Sequence, residues 1–316
     1  MSPAAPMSSA LTLDRRELAI IRSVLYASLF EYPLTLEQLH ESMLSVPLTP
    51  KQILAIYDGN ASLRSIVEHL DGFFFPAGRF DLVAERRRRE ARGRAFLAHH
   101  RRLLRLVSSL PFTRMVALSG SIAHLNLEDG GDLDLFVVTR GPRVWMVTVA
   151  MIVLTRLLGA RRVVCANFVM SDAHLSLEQQ DLFTANQILH LKPLVGAEVL
   201  EGFVAANPFV RRFYPNRRPA SLEFLLPDRA AGAAARAKTV VEALLRPLTP
   251  AMEWCCRQAY AAHLRRRAAS WRSPDQVRLG ADSLKLHTQS HRRAVLARFD
   301  EEVERALGRG DRAAIA

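Results

Sequence analysis

Apolar and polar positions along the chain alternate in short blocks, and the blocks predict short helices, a few apolar strands and many turns. Met1 to Leu13 is rich in Pro, Ala and Ser and has no period, so residues 1–13 are expected to be disordered. Asp14 is placed to cap a helix from Arg15 to about Phe30, with Leu18, Ile21, Val24 and Leu25 recurring at helical spacing. Tyr32-Pro33 stops it, and Thr35 opens a second helix through Met43. Thr49-Pro50, a cap followed by proline at the first helical position, opens a third. Ser62 reads as the cap of a helix over Leu63 to Leu70, closed by Gly72. Phe73 to Phe75, the turn Pro76-Ala77-Gly78 and Arg79 to Val83 then read as strand, turn, strand. Glu85 to Leu110 is one long helical pattern ended by Pro111, with arginines crowding its first half as a solvated face.

Two short apolar runs follow, Met115 to Leu118 and Leu133 to Val138, each with the length of a buried strand. An apolar helix from Arg143 to Leu158 ends at Gly159, and Val163 to Met170 is a third strand. Helices are expected over Ser176 to Leu191 and Ala197 to Ala206, and Tyr214 to Pro219 has the composition of a linker. Ala231 to Leu245 and Ala251 to Trp271 carry strong helix formers, so the chain beyond residue 207 is expected to be all helix. His287 and His291 fall one helical turn apart, with Arg292 and Arg293 behind them, as a phosphate-facing cluster. No acidic third ligand accompanies them, so a zinc site is not expected there.

The first two strands carry the chemistry. The first stops at Ser119-Gly120-Ser121, a small-residue turn that admits a close ligand. The second begins with Asp132 and Asp134, alternate residues that share one face of a strand. Two carboxylates side by side raise each other's pKa unless a cation lies between them. Mg2+ is commonly held by one or two carboxylates together with substrate phosphates. A Gly-Ser turn offers backbone N–H groups and a hydroxyl where such phosphates would lie.

Gly120-Ser121 followed by Asp132-Leu133-Asp134 between apolar residues resembles the signature of the polymerase-beta-like nucleotidyltransferase superfamily. The resemblance implies that the Gly-Ser turn holds a triphosphate, that the two aspartates bind catalytic Mg2+ or Mn2+, and that a third carboxylate arrives from a later strand. The matching position in the third strand holds Asn167, with Asp172 just past the strand end. Asparagine is a weak ligand for a hard cation and takes no proton from an attacking hydroxyl. Three readings follow. Asn167 is a neutral ligand or orienting group, Asp172 or Asp181 acts as the missing base, or the site binds nucleotide without turnover. Asn186, His190 and Lys192 either reach toward phosphates or make ordinary core hydrogen bonds.

Charge and cysteine content narrow the partners. The 43 basic and 31 acidic residues give a formal charge of +12, which favours polyanionic partners such as nucleic acid or nucleotides. Cys165, Cys255 and Cys256 form neither a disulfide framework nor a metal-finger spacing, which points to a reduced, cytoplasmic setting. No signal peptide is apparent, and the longest apolar run, Val144 to Leu154, is too short to span a bilayer.

The expected architecture is α+β. Residues 14–84 resemble a winged helix, with Leu63 to Leu70 in the recognition-helix position and the hairpin as wing; the sparse basic residues Arg64, His69 and Arg79 favour a packing or protein-binding role. Residues 85–206 form a nucleotidyltransferase domain with a small mixed sheet and its leading helix, and residues 207–316 a helical C-terminal region. The expected activity is transfer of a nucleoside monophosphate from a nucleoside triphosphate (ATP among the candidates) to a hydroxyl on nucleic acid, protein or a small molecule. The competing class is a nucleotide-binding regulator whose winged helix contacts DNA or protein.

Overall fold

A computed structural model describes residues 13–218, 231–286 and 290–308. The 1–13 segment therefore lies almost wholly outside the described residues, as does His287 of the expected histidine pair. The architecture is mixed α and β with two small sheets, of three and six strands, compatible with an α+β class. Two compact units form. One comprises Met1–Arg87, Arg211–Arg218 and Arg292–Ala316; the other comprises Arg88–Val210 and Pro219–His291.

The first unit starts with α1 (Arg15–Ser28), held by a capping box between Asp14 and Glu17. β1 (Leu34–Thr35), α2 (Leu36–Glu41), α3 (Pro50–Gly59) and α4 (Ala61–Ile66) follow, and Thr35 and Thr49 cap α2 and α3 as their sequence contexts predict. The hairpin lies upstream of the expected place. Its strands are β2 (Val67–Leu70) and β3 (Phe73–Pro76), joined by Asp71-Gly72 with φ of 53° and 80°. Two consecutive positive φ values make a turn that twists with the strands, so Gly72 closes a hairpin and does not end a helix. The helix read over Leu63 to Leu70 is accordingly half helix and half strand, and Asn60 caps it, its side chain accepting from the Leu63 N–H at 2.9 Å.

Arg79 to Val83 is no strand, because α5 (Asp81–His99) begins there. The expected helix over residues 85–110 breaks at His100, and α6 (Arg101–Ser108) continues as a separate piece. Nor are all the α5 arginines solvated: Arg86 is 3% and Arg89 8% exposed. The Arg86 guanidinium lies 4.1 Å over the Tyr32 ring and donates to its hydroxyl at 2.9 Å. A flat cation over an aromatic face can be buried at a cost that local composition does not reveal.

In the second unit, β4 (Thr113–Leu118), the single turn α7 (Gly120–Ala123) and β5 (Leu133–Thr139) lead to α8 (Val144–Leu157), which crosses over to β6 (Val164–Ser171). α9 (Leu182–Leu189), β7 (Lys192–Val195), α10 (Ala197–Ala205) and the first two residues of α11 (Phe209–Phe213) follow, then α12 (Ala231–Leu245) and α13 (Thr249–Arg266). The expected C-terminal all-helical region is corrected by β8 (Val277–Leu279) and β9 (Ser283–Leu286). These strands cover the outer edge of β6, whose N–H and C=O groups would otherwise lack a ladder. The sheet order is β7-β4-β5-β6-β9-β8, with β5 and β6 parallel and every other pair antiparallel.

Trp145, Leu133, Leu135, Val137 and Val169 form the middle of the core between this sheet and α8. α13 supplies an unusual cap: the Glu253 carboxylate accepts the Trp145 and Met146 N–H groups at 2.9 and 2.8 Å, satisfying the α8 N-terminus from another helix.

Two later segments complete the first unit. Within 211–218, Tyr214 is 1% exposed and the Asn216 amide donates to the His40 and Leu48 carbonyls, so the expected linker is a packed clamp. α14 (Arg292–Leu307) sets Phe299 edge-on against Tyr26 at 5.1 Å. His291 precedes α14 and is not on a helix. Among the described residues no helix is long and apolar enough to cross a membrane.

Candidate functional site

The residues of the Gly-Ser and Asp-x-Asp motif meet at one end of the large sheet. Leu118 pairs with Leu135 across the antiparallel β4–β5 ladder, and the Ser119 N–H donates to the Asp134 carbonyl at 2.9 Å. The chain then leaves β4 through Gly120, at φ 62°, into the exposed turn of Gly120 and Ser121. Glycine is required twice over at this position. A side chain at that φ is strained, and a Cβ would run into the Asp134 carboxylate.

The loop from His124 to Asp132 connects the two halves of the motif and is pinned by α5. Arg92 donates to the Leu127 carbonyl at 2.8 Å and pairs with Asp129 at 2.8 Å, and Arg89 pairs with Glu128 at 3.5 Å. Gly93 lets this loop approach closely: a Cβ there would sit 3.2 Å from the Leu125 Cα. Part of the arginine run is thus spent on fixing the loop that carries Asp132.

β6 brings the remaining groups. Cys165 is the register partner of Asp134 on the neighbouring parallel strand, so the two side chains share a face. After Leu135 pairs with Ala166, the next pair is Phe136 with Phe168. Asn167 is therefore the extra residue of a bulge, a device that re-aims a side chain. Its amide nitrogen donates to Asp134 Oδ1, and its oxygen accepts from the Cys165 thiol at 2.8 Å. Both partners dictate this amide orientation, because the carboxylate needs a donor and the thiol hydrogen an acceptor.

The electrostatics are those of an acid pair without a counterion: among the described residues no cationic side chain pairs with Asp132 or Asp134. Burial, then the neighbouring Asp132 charge, push Asp134 up to about 7 against the Asn167 hydrogen bond. Burial also raises Asp132. Burial and the two carboxylates push the Cys165 thiol up to about 12. One ligand atom from each of Asp132, Asp134 and Cys165 lies within 4.8 Å of the others. Two carboxylate oxygens that lack a protein cation, beside a cradle that a Cβ would fill, fit a divalent cation such as Mg2+ or Mn2+.

The other sequence candidates lie elsewhere. Asp172 sits at the far end of β5 and β6, where it accepts the Gly141 N–H at 2.7 Å and pairs with Arg114 at 3.1 Å. Asp181 caps α9, accepting the Thr184 N–H at 2.8 Å. Lys192 is the β7 partner of Leu118 and so lies at the same end of the sheet as the motif. The His190 ring packs against His124 at 3.9 Å between centroids, and burial, then His124 and Lys192, hold its pKa well below the usual range. A neutral imidazole in that setting adds no charge for a phosphate. Cys165 is the member that sequence reasoning passed over. Its one signal was its place two residues before Asn167 in the same apolar strand.

No family model matches the chain, and neither curated proteins nor solved structures yield a similar partner.

Proposed function

We propose that the chain is a metal-dependent nucleotidyltransferase of the polymerase-beta-like type, moving a nucleoside monophosphate from a nucleoside triphosphate to a hydroxyl acceptor. The observation that carries this reading is the apposition of the Gly120-Ser121 turn to an unneutralised Asp132–Asp134 pair across the β4–β5 ladder. Asp132 and Asp134 would hold Mg2+ or Mn2+, with the triphosphate lying over the exposed turn. When bound, such a cation neutralises phosphate charge and eases departure of pyrophosphate. Gly120 leaves the Asp134 carboxylate unobstructed, while Ser121 offers its hydroxyl at the exposed rim. Asn167 acts on Asp134 through its amide donor and fixes that carboxylate's direction. Because Asn167 binds no proton, it serves as a positioning residue and not as the base.

The acceptor is a macromolecule, nucleic acid or protein, in this reading. The order helix, strand, three short helices and hairpin in the first unit, with its strands in the order β1-β3-β2, supports a winged-helix-like module in addition to the transferase domain. Its Arg64 is turned back onto the Tyr57 and Asp58 carbonyls, and the His69 ring stacks on Phe74 at 4.1 Å. These contacts favour a protein-binding module over a DNA reader. A second reading, a nucleotide-binding regulator with little turnover, draws its support from Asn167 standing where a third carboxylate is expected.

The test is transfer of label from each α-labelled ribonucleoside triphosphate, with Mg2+ or Mn2+, to the chain itself and to a cell lysate. Label transfer that disappears in Asp132→Ala/Asp134→Ala supports the enzyme. Metal-dependent nucleotide binding without transfer supports the regulator. A folded chain with neither property overturns both.

A further inference from the structure

We infer that Cys165 is a third donor of the cation site, making it a mixed oxygen–sulfur site that takes later first-row divalent ions such as Co2+ and Zn2+ in preference to Mg2+ or Mn2+. The inference rests on the Asp132–Asp134 metal reading and names the class of ion. Three features of the fold converge on it. Cys165 is opposite Asp134 in the parallel β5–β6 register, so the sheet itself delivers the sulfur to the acid face. The sulfur and one oxygen from each aspartate lie within 4.8 Å of one another, a separation that one ion can bridge. The β6 bulge turns Asn167 so that one amide group touches both donors, nitrogen to Asp134 and oxygen to the Cys165 thiol. The nitrogen contact orients Asp134 from behind, while the oxygen contact accepts the thiol hydrogen and is released when that hydrogen leaves.

Sulfur changes the selectivity. Mg2+ demands hard oxygen ligands and octahedral geometry, whereas a thiolate favours later first-row ions. On loading, the Cys165 S–H gives its proton to solvent and the thiolate pairs with the ion. Three negative groups then face two positive charges, one negative charge more than the two aspartates alone would leave. The Arg161 charge favours the Cys165 thiolate, and its guanidinium is anchored on the Val164 carbonyl at 3.1 Å.

The experiment is Co2+ titration of the full chain carrying Cys255→Ser and Cys256→Ala, which leaves Cys165 as its one thiol. Absorption is followed in the near ultraviolet, where sulfur-to-cobalt charge transfer appears, and Mn2+ binding is measured in parallel by electron paramagnetic resonance. The expected result is a charge-transfer band that saturates with one Co2+ and is lost in Cys165→Ser. Mn2+ affinity in that variant should change by no more than about threefold, while Zn2+ affinity falls by at least about tenfold. Cys165→Ala carries the same readout should the serine variant fold poorly. Co2+ binding that needs Asp132 and Asp134 but gives no band, or a band that survives loss of Cys165, overturns the inference and leaves the aspartate reading standing. Mn2+ binding undiminished in Asp132→Asn/Asp134→Asn overturns both.

Discussion

The two ends of the β5–β6 pair each place an acid beside the same two strands, and they treat it in opposite ways. At the far end Asp172 receives the Gly141 N–H at 2.7 Å and the Arg114 guanidinium at 3.1 Å. At the near end Asp134 receives one amide donor from Asn167 and faces the like charge of Asp132, and it is driven up to about 7. Asp172 lies one step beyond the Thr139–Ser171 pair, so their separation is six residues of strand, about 20 Å at roughly 3.3 Å per residue. Strand geometry and core composition are shared, so the difference lies in what the fold supplies to each carboxylate. A buried acid whose needs are met by protein is part of the scaffold, as Glu253 is at the α8 N-terminus. An acid pair left repelling is one whose complement, in the proposed function, arrives from outside.

Substitutions at the two ends should therefore separate activity from stability. The largest effect expected is on transfer: Asp134→Ala should lower nucleotide transfer on the order of a thousandfold, the several kcal/mol that metal-assisted charge stabilisation contributes. Label transfer at saturating Mn2+ checks this. Thermal unfolding should point the other way, with Asp134→Asn stabilising the chain by about 1 kcal/mol because a repelling charge is removed. Asp172→Ala should destabilise by about 1–3 kcal/mol, since the Gly141 N–H loses its acceptor and Arg114 its partner. If Asp134→Asn and Asp172→Ala destabilise equally in urea titrations, the contrast between the two ends is wrong. Gly120→Ala tests the boundary between the two behaviours. It should cost about 1–2 kcal/mol through the positive φ and impair metal binding more than fold, as its methyl group meets the Asp134 carboxylate.

The near end of the sheet was legible in the sequence where the information is local. Met115 to Leu118, Leu133 to Val138 and Val163 to Met170 became β4, β5 and β6 within a residue or two, and the apolar run before Gly159 became α8. The caps Asp14, Thr35 and Thr49 were readable for the same reason, because a cap and its N3 partner are three residues apart. Features set by distant partners were hidden. β7 is four residues long and contains Pro193, tolerated because it is an edge strand on β4. β8 and β9 sit in a helix-rich stretch and exist because β6 offers an open edge. Cys165 could not be joined to Asp134 without the β5–β6 register, since the two residues are separated by the whole of α8. The displaced hairpin is a different matter: Asp71-Gly72 carried a turn signal, and reading Gly72 as a helix stop hid it.

The comparison extends to bases, where the expected effect is smallest. Lys238 is half-buried, but its ammonium donates to the Thr113 carbonyl and hydroxyl at 2.7 and 2.8 Å, so the fold meets its charge. His190 instead faces His124 and Lys192, two further bases, in a packed setting, and its folded-state pKa lies well below 6.5. The sign follows from proton counting. As the pH falls through the unfolded value, the unfolded chain binds a proton on His190 and the native chain does not. This contribution to stability is fully present above the unfolded pKa and is lost as the pH falls toward the folded one, by at most about 1.4 kcal/mol per pH unit for one proton. His190→Gln removes that proton site while keeping a polar side chain of similar reach. Urea midpoints taken between about pH 7.5 and about pH 5.5 should fall less in the variant than in the unaltered chain, with acid groups elsewhere cancelling in the difference. Equal slopes would mean that His190 takes up its proton over the same pH range in the native and unfolded chains. The imidazole would then become a cation at the motif end of the sheet as the pH falls, available to a triphosphate after all.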